Sequence, residues 1–211
     1  MNRFFNMDST FWQFMSKIGD LLILNIIFII SCIPIVTIGA SISALYHMCF
    51  KILRKESPYV WKIYWKTFKE NFKQSTIIWL FSLVIIYFLG MDYYLLISQE
   101  TTNLAIVRIV FWIIAGLLFS MFIYIFPIIS HFKCTLGQAL KNSLYMTLGH
   151  LPFSILLVFI FGGILYLTTV SPKTFASIFV LAITCGCSFT AYIACALINR
   201  LFKRYEPIEE E

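Results

Sequence analysis

The stretch LLILNIIFIISCIPIVTIGASISALYHMCF, residues 21–50, carries no charged side chain. A hydrocarbon core of about 30 Å takes roughly 20 helical residues, so this run is too long for one membrane crossing and short for two. Its middle reads Ser31-Cys32-Ile33-Pro34-Ile35-Val36-Thr37-Ile38-Gly39. Pro34 has no backbone donor and disfavours helix in the residue before it, while Gly39 tolerates a turn. The run therefore reads as a hairpin with Pro34 and Gly39 as its structural turn. The first span covers about Lys17 to Ile33, the second about Ile38 to Leu53, and the tip is expected to lie shallow on the far side.

Working outward, charged residues mark where apolar runs stop. Gln74 to Met91 is uncharged for 18 residues and Ile109 to Phe132 for 24, and Lys173 separates uncharged runs of 31 and 26. These give further spans at about Ser75–Leu96, Leu104–Ile129, His150–Thr169 and Phe175–Asn199. Pro127 is expected to kink the fourth, and Gly162-Gly163 to permit close helix approach in the fifth. The fold class is all-α, a polytopic transmembrane bundle of about six spans. Composition agrees: 60% of the 211 residues are hydrophobic and only 12% charged. A soluble domain carries about 25% charge, and so few charges cannot cover a water-exposed surface. The bilayer is the expected partner, and the net charge of +6 calls for no nucleic acid.

Charge also orients the chain. With the N-terminus inside, Arg3, Lys17, Lys51, Arg54, Lys55, Lys62, Lys66, Lys69, Lys73, Lys133, Lys141, Arg200, Lys203 and Arg204 fall on the cytoplasmic side, against Arg108 and Lys173 outside. That asymmetry follows the positive-inside rule and predicts a multi-pass cell-membrane protein with both termini cytoplasmic. Residues 1–205 read as one integral membrane domain. Residues 206–211, with four glutamates, read as an acidic, mobile tail. The first nine residues lack a signal-peptide pattern, so the first apolar segment is expected to be retained as a span.

Two cytoplasmic segments read as interfacial amphipathic helices. Ser57-Pro58 has the form of an N-cap followed by proline at the first helical position. Beyond it, Trp61, Trp65, Phe68 and Phe72 recur at helical spacing, and Lys62, Lys66, Lys69 and Lys73 follow one residue on. Aromatics beside lysines fit a helix in the headgroup layer, or a cytoplasmic extension of the third span packed on protein. The second segment, Thr135–Gly149, carries Leu136, Leu140, Leu144 and Leu148 and ends at a glycine suited to a stop. Span, interfacial helix, span would then occur twice, with Lys69-Glu70-Asn71 and Leu140-Lys141-Asn142 in similar places. Repeat interfaces are where transporters put substrate sites.

Ionisable groups inside a membrane are functional candidates because burying them is costly. The candidate intramembrane polar residues are Asp20 and Asn25 in the first span and His47 in the second. Asp20 has an interfacial reading, offset by Lys17, and a functional one, in a polar cluster with Asn25. Asn25 is also a natural helix–helix hydrogen-bond partner. His131 and His150 flank the second amphipathic segment, and Asp92 and Glu100 border an outer loop. The six cysteines, Cys32, Cys49, Cys134, Cys185, Cys187 and Cys195, form no CxxC pair and read as small apolar packing residues. No metal-ligand set, phosphate-binding loop or catalytic motif is present, so no cofactor is expected and the chain reads as non-enzymatic.

The motifs Asp20-Leu21-Leu22, Leu24-Asn25, Pro34-Ile35-Val36-Thr37-Ile38-Gly39-Ala40, Ala44-Leu45-Tyr46 and Phe68-Lys69-Glu70-Asn71-Phe72-Lys73 resemble the YesL-like family of bacterial membrane proteins, a domain of unknown function. The second half resembles it only in span layout. What the resemblance implies is an accessory protein of carbohydrate uptake or sensing, working beside ABC transporter permeases or sensor kinases. It carries over no catalytic residue. Three functions follow: a non-enzymatic accessory subunit; a small solute transporter or channel with Asp20, Asn25 and His47 lining a polar path through the first two spans; and a membrane enzyme acting on lipid or glycan.

Overall fold

The computed structural model describes residues 10–54, 56, 59–98, 105–132 and 134–202. All its regular structure among those residues is helical. Helix α1 (Thr10–Cys32) ends in a 3₁₀ turn at Ile35–Thr37, and α2 (Ile38–Leu53) runs back beside it. Helix α3 (Val60–Ser98) is followed by α4 (Ala105–His131), α5 (Leu136–Gly149) and α6 (Leu151–Val170). The last rod is α7 (Pro172–Leu181), a π-helical turn (Ala182–Gly186) and α8 (Cys187–Phe202). Among the described residues, six stretches are long and apolar enough to cross a bilayer: Met15–Cys32, Ile35–Leu53, Val60–Tyr94, Ile106–His131, Leu151–Val170 and Pro172–Phe202.

Local chemistry explains most boundaries. At the hairpin the unwound carbonyls are claimed by side chains: Thr37 Oγ1 donates to Ser31 O at 2.6 Å and to Pro34 O at 2.7 Å, and Ser41 Oγ donates to Ser31 O at 3.1 Å. Helix α5 starts where Gln138 Oε1 accepts from the Thr135 backbone N–H, and ends at Gly149 because His150 leaves helical geometry at φ −128°, ψ 51°. Pro152 then sits in the first turn of α6, where its missing donor is harmless. Ser171 caps α7. Pro127 lies inside α4, which continues to His131.

One expectation needs correction. Trp61–Lys73 is not a separate helix; it is the first third of α3, a single helix of 39 residues, about 58 Å long at 1.5 Å per residue, which is the extension of the third span rather than an element of its own. No glycine or proline occurs between Val60 and Leu89, so nothing breaks the backbone where the apolar stretch begins. The two halves of the supposed repeat differ for the same reason: Lys69-Glu70-Asn71 lies within a continuous helix, whereas Lys141 belongs to the separate α5. The Ser57-Pro58 cap and the acidic tail at 206–211 lie outside the described residues.

The core sits where α1, α2, α4, α8 and the beginning of α3 meet. Leu24, Ala40, Ala44, Met48, Cys49, Tyr64, Tyr124, Cys195, Ile198 and Phe202 have no exposed surface there. Gly39 allows this packing: a β-carbon on it would collide with the Ser75 carbonyl and lie 2.7 Å from Trp79 Cβ. Gly162 and Gly163 are different. Nothing lies within 4 Å of a β-carbon at either, so the glycine pair of α6 makes no close helix contact among the described residues.

Candidate functional site

Asn25 is fully buried, and its amide is consumed by the last rod. Its Nδ2 donates to the carbonyls of Ala182 (3.0 Å) and Ile183 (2.8 Å), and its Oδ1 accepts from the Ser188 backbone N–H at 3.1 Å. Ser188 Oγ in turn donates to Leu21 O at 2.8 Å. A π turn shifts the backbone register and frees carbonyls; here one asparagine satisfies two of them across the helix contact. Gly186 is part of that device, since a β-carbon on it would lie 2.8 Å from the Leu181 carbonyl oxygen.

Asp20 does not join this cluster. Five residues separate it from Asn25, which places it about 140° round the helix at 100° per residue. It is half-buried and makes no ion pair with Lys17 among the described residues. His47 lies apart again, near the C-terminal end of α2. Its Nδ1 is 2.9 Å from Ser130 O; a carbonyl only accepts, so Nδ1 carries the proton. The bond satisfies a carbonyl that the ending of α4 leaves without a helical partner.

Around His47 a second constellation forms at the lysine-rich end of the bundle. Arg54 reaches His131 Nε2 at 3.3 Å, and Lys51 Nζ donates to Glu56 at 2.8 Å. That hydrogen bond holds the Glu56 carboxyl below its usual range. Below the charges is an aromatic floor: the His131 ring lies 5.0 Å from Phe50 and 5.1 Å from Phe202, and Phe132 packs 5.0 Å from Phe202. His47, Phe50, Lys51, Arg54, Glu56, Ser130, His131 and Phe132 line a cavity of about 360 Å³.

The third feature is the beginning of α3. Its aromatic stripe is divided by packing. Tyr64, Thr67 and Phe68 are buried, with Tyr64 Oη 2.6 Å from Ser31 Oγ, while Trp61 and Phe72 are exposed and Trp65 is intermediate. Lys62, Lys66, Lys69 and Lys73 all face outward. Trp61, Lys62, Trp65, Lys66 and Lys69 form an open face of the helix, and Lys66 Nζ lies 4.0 Å from Glu70 Oε1. No group of three or more metal-binding side chains occurs among the described residues.

Sequence reasoning missed Tyr64, Trp79, Ser188 and the π turn. The string Thr184-Cys185-Gly186-Cys187-Ser188, small and polar within an apolar span, was the available signal. It marks where another helix approaches closely.

The helices and their apolar faces define a multi-pass helical membrane protein. A family model described as "Protein of unknown function, DUF624" matches residues 21–93, that is, the second half of α1, all of α2 and most of α3. No curated protein and no solved structure matches the chain.

Proposed function

We propose that this chain is a non-enzymatic accessory protein of the cell membrane that docks on a partner in a carbohydrate uptake or sensing system, with both termini cytoplasmic. The observation that carries the reading is the filled centre of the bundle. Asn25, Leu24, Ala40, Ala44, Met48, Cys195 and Ile198 are close-packed there, and the Asn25 amide is bound to the π turn. A solute path through the first two spans needs polar groups facing a channel; Asp20, Asn25 and His47 instead lie on different faces and at different contacts. The outward lysines of α3, with Trp61 and Trp65 between them, offer a basic and aromatic face to an acidic partner surface. The carbohydrate connection rests on the YesL-like resemblance of the motifs, and the orientation on the distribution of Lys and Arg.

The test is purification of the tagged protein from native membranes in mild detergent, beside a Lys62→Glu, Lys66→Glu, Lys69→Glu variant of equal melting temperature. Stoichiometric recovery of an ABC permease or sensor-kinase subunit by the wild type, lost in the variant, is expected. Recovery of the wild type alone, together with solute flux through liposomes containing it, would replace this reading by a transporter.

A further inference from the structure

We propose that α1 and α2 form a re-entrant hairpin, which enters the bilayer from the lysine-rich face and turns back at Ile35–Thr37 without reaching the opposite face. Both helices are apolar enough to span, so the inference rests on where their tip meets its neighbours.

Helix α3 serves as a ruler. Its uncharged stretch is bracketed by Lys73 and Asp92, 19 residues or about 28 Å apart, close to the hydrocarbon thickness of about 30 Å. The hairpin tip meets α3 near the beginning of that interval: Trp79 Nε1 donates to Ile35 O at 2.9 Å, and Gly39 packs on Ser75 and Trp79. Trp79 is six residues past Lys73, about 9 Å, and 13 residues short of Asp92, about 20 Å. Tyr64, which precedes Lys73, also reaches the hairpin, at Ser31 Oγ and at the Ser41 carbonyl.

Helix α4 gives a second ruler. It lies alongside α3, with Trp112 against Tyr93 (5.8 Å) and Phe122 against Trp79 (6.0 Å). From Phe122 to Arg108 is 14 residues, about 21 Å. Both rulers therefore leave the tip about 20 Å short of the far charged level.

The composition of the turn agrees. Ile33, Ile35 and Val36 are exposed at 76%, 67% and 50%, with no charged side chain within ten residues on either side. A loop in water at the far face would not carry such a surface, whereas one ending in lipid must. Unwound backbone at membrane depth is tolerated only where its polar groups are satisfied. The carbonyls of Ser31, Pro34 and Ile35 are met by Thr37, Ser41 and Trp79. Helix α2, with 16 residues, is about 24 Å long and carries Lys51 in its last turn. The exposed residues of α1, Ile18, Leu22, Ile26 and Ile30, four apart, form an apolar stripe suited to lipid.

The experiment is depth measurement by electron paramagnetic resonance on the full chain in phosphatidylcholine–phosphatidylglycerol liposomes. Spin labels are placed at Ile35→Cys and, separately, Val36→Cys, with the labelled wild type subtracted for native cysteines. Phe81→Cys, on α3 just past Trp79 and lipid-facing, supplies the hydrocarbon reference; Lys62→Cys and Lys173→Cys supply the two aqueous ones. Variants are used only if they elute and melt like the wild type, and either tip position suffices. Collisions dominated by oxygen, within twofold of the Phe81→Cys ratio, are expected. Collisions dominated by an aqueous nickel complex, as at Lys173→Cys, would overturn the hairpin as re-entrant and make both helices complete crossings.

Discussion

Helices α2 and α6 are both apolar and similar in span length, yet they occupy opposite environments. Eleven of the 19 residues of Ile35–Leu53 are buried within the chain, against two of the 20 in Leu151–Val170. The buried one is the less apolar of the two and the least apolar of all six. It carries Gly39, Ala40, Ser41, Ser43 and Ala44 in its first two turns. Helix α6 turns Ile155, Phe159, Leu165 and Tyr166 outward instead. The difference follows from the solvent. Lipid is as apolar as a leucine side chain, so helices in a bilayer associate through close packing and hydrogen bonds rather than through hydrophobicity. Small and hydroxyl-bearing residues mark the inside of such a bundle, and large apolar ones mark its lipid face.

The comparison can be broken most forcefully at Gly39. Gly39→Leu puts a branched side chain where even a β-carbon collides with α3. It should cost about 3 kcal/mol or more by overpacking, read as loss of the monodisperse species or a collapse of the melting temperature in detergent. Retention of wild-type stability would show that α2 and α3 do not meet as described. The second effect belongs to Asn25→Leu. It strips the Ala182 and Ile183 carbonyls and the Ser188 N–H of their partner, an expected loss of about 2–3 kcal/mol. Asn25→Gln should not restore it, because the longer side chain moves the amide away from the π turn. Steric trapping or denaturant titration in micelles checks both.

Tyr64→Phe sharpens the same contrast more gently. It removes the 2.6 Å bond to Ser31 while keeping the ring's packing, and should cost about 1 kcal/mol. At the rim of the buried region, the Lys51–Glu56 pair is partly exposed. The lowered Glu56 carboxyl adds stability that is fully present above its ordinary value of 4.5 and fades as pH falls through the lower folded value. For an exposed pair this is worth a few tenths of a kcal/mol; Glu56→Gln should flatten that part of the pH–stability profile. The smallest effect is expected in α6. Gly162→Ala and Gly163→Ala meet open space and should change stability by less than about 1 kcal/mol, toward greater stability from helix propensity. A large loss at either would mean that α6 has a close neighbour in the membrane, such as a second copy.

Much of the architecture was legible. The limits of α2 at Ile38 and Leu53 and the end of α5 at Gly149 coincide with the sequence reading, because proline, glycine and charge act locally on the backbone. The continuity of α3 was less legible. A change of composition at Lys73–Ser75 looks like a boundary, but composition does not stop a helix that has no breaker. The candidate residues were legible as polar groups in apolar runs, and their use was not. Asn25 could be recognised as needing a partner, while the partner lies more than 150 residues away in the chain.

By itself the sequence determined that the chain is helical, that its spans have the apolar runs of a membrane protein and where α2 and α5 end, because each follows from runs of charge and from single residues acting on their own backbone. Only the tertiary structure decided which span lies at the centre, which carbonyls Asn25 holds and how far along α3 the hairpin reaches. Those depend on which faces meet, and in a solvent as apolar as the protein interior hydrophobicity does not distinguish a face turned to lipid from one turned to another helix.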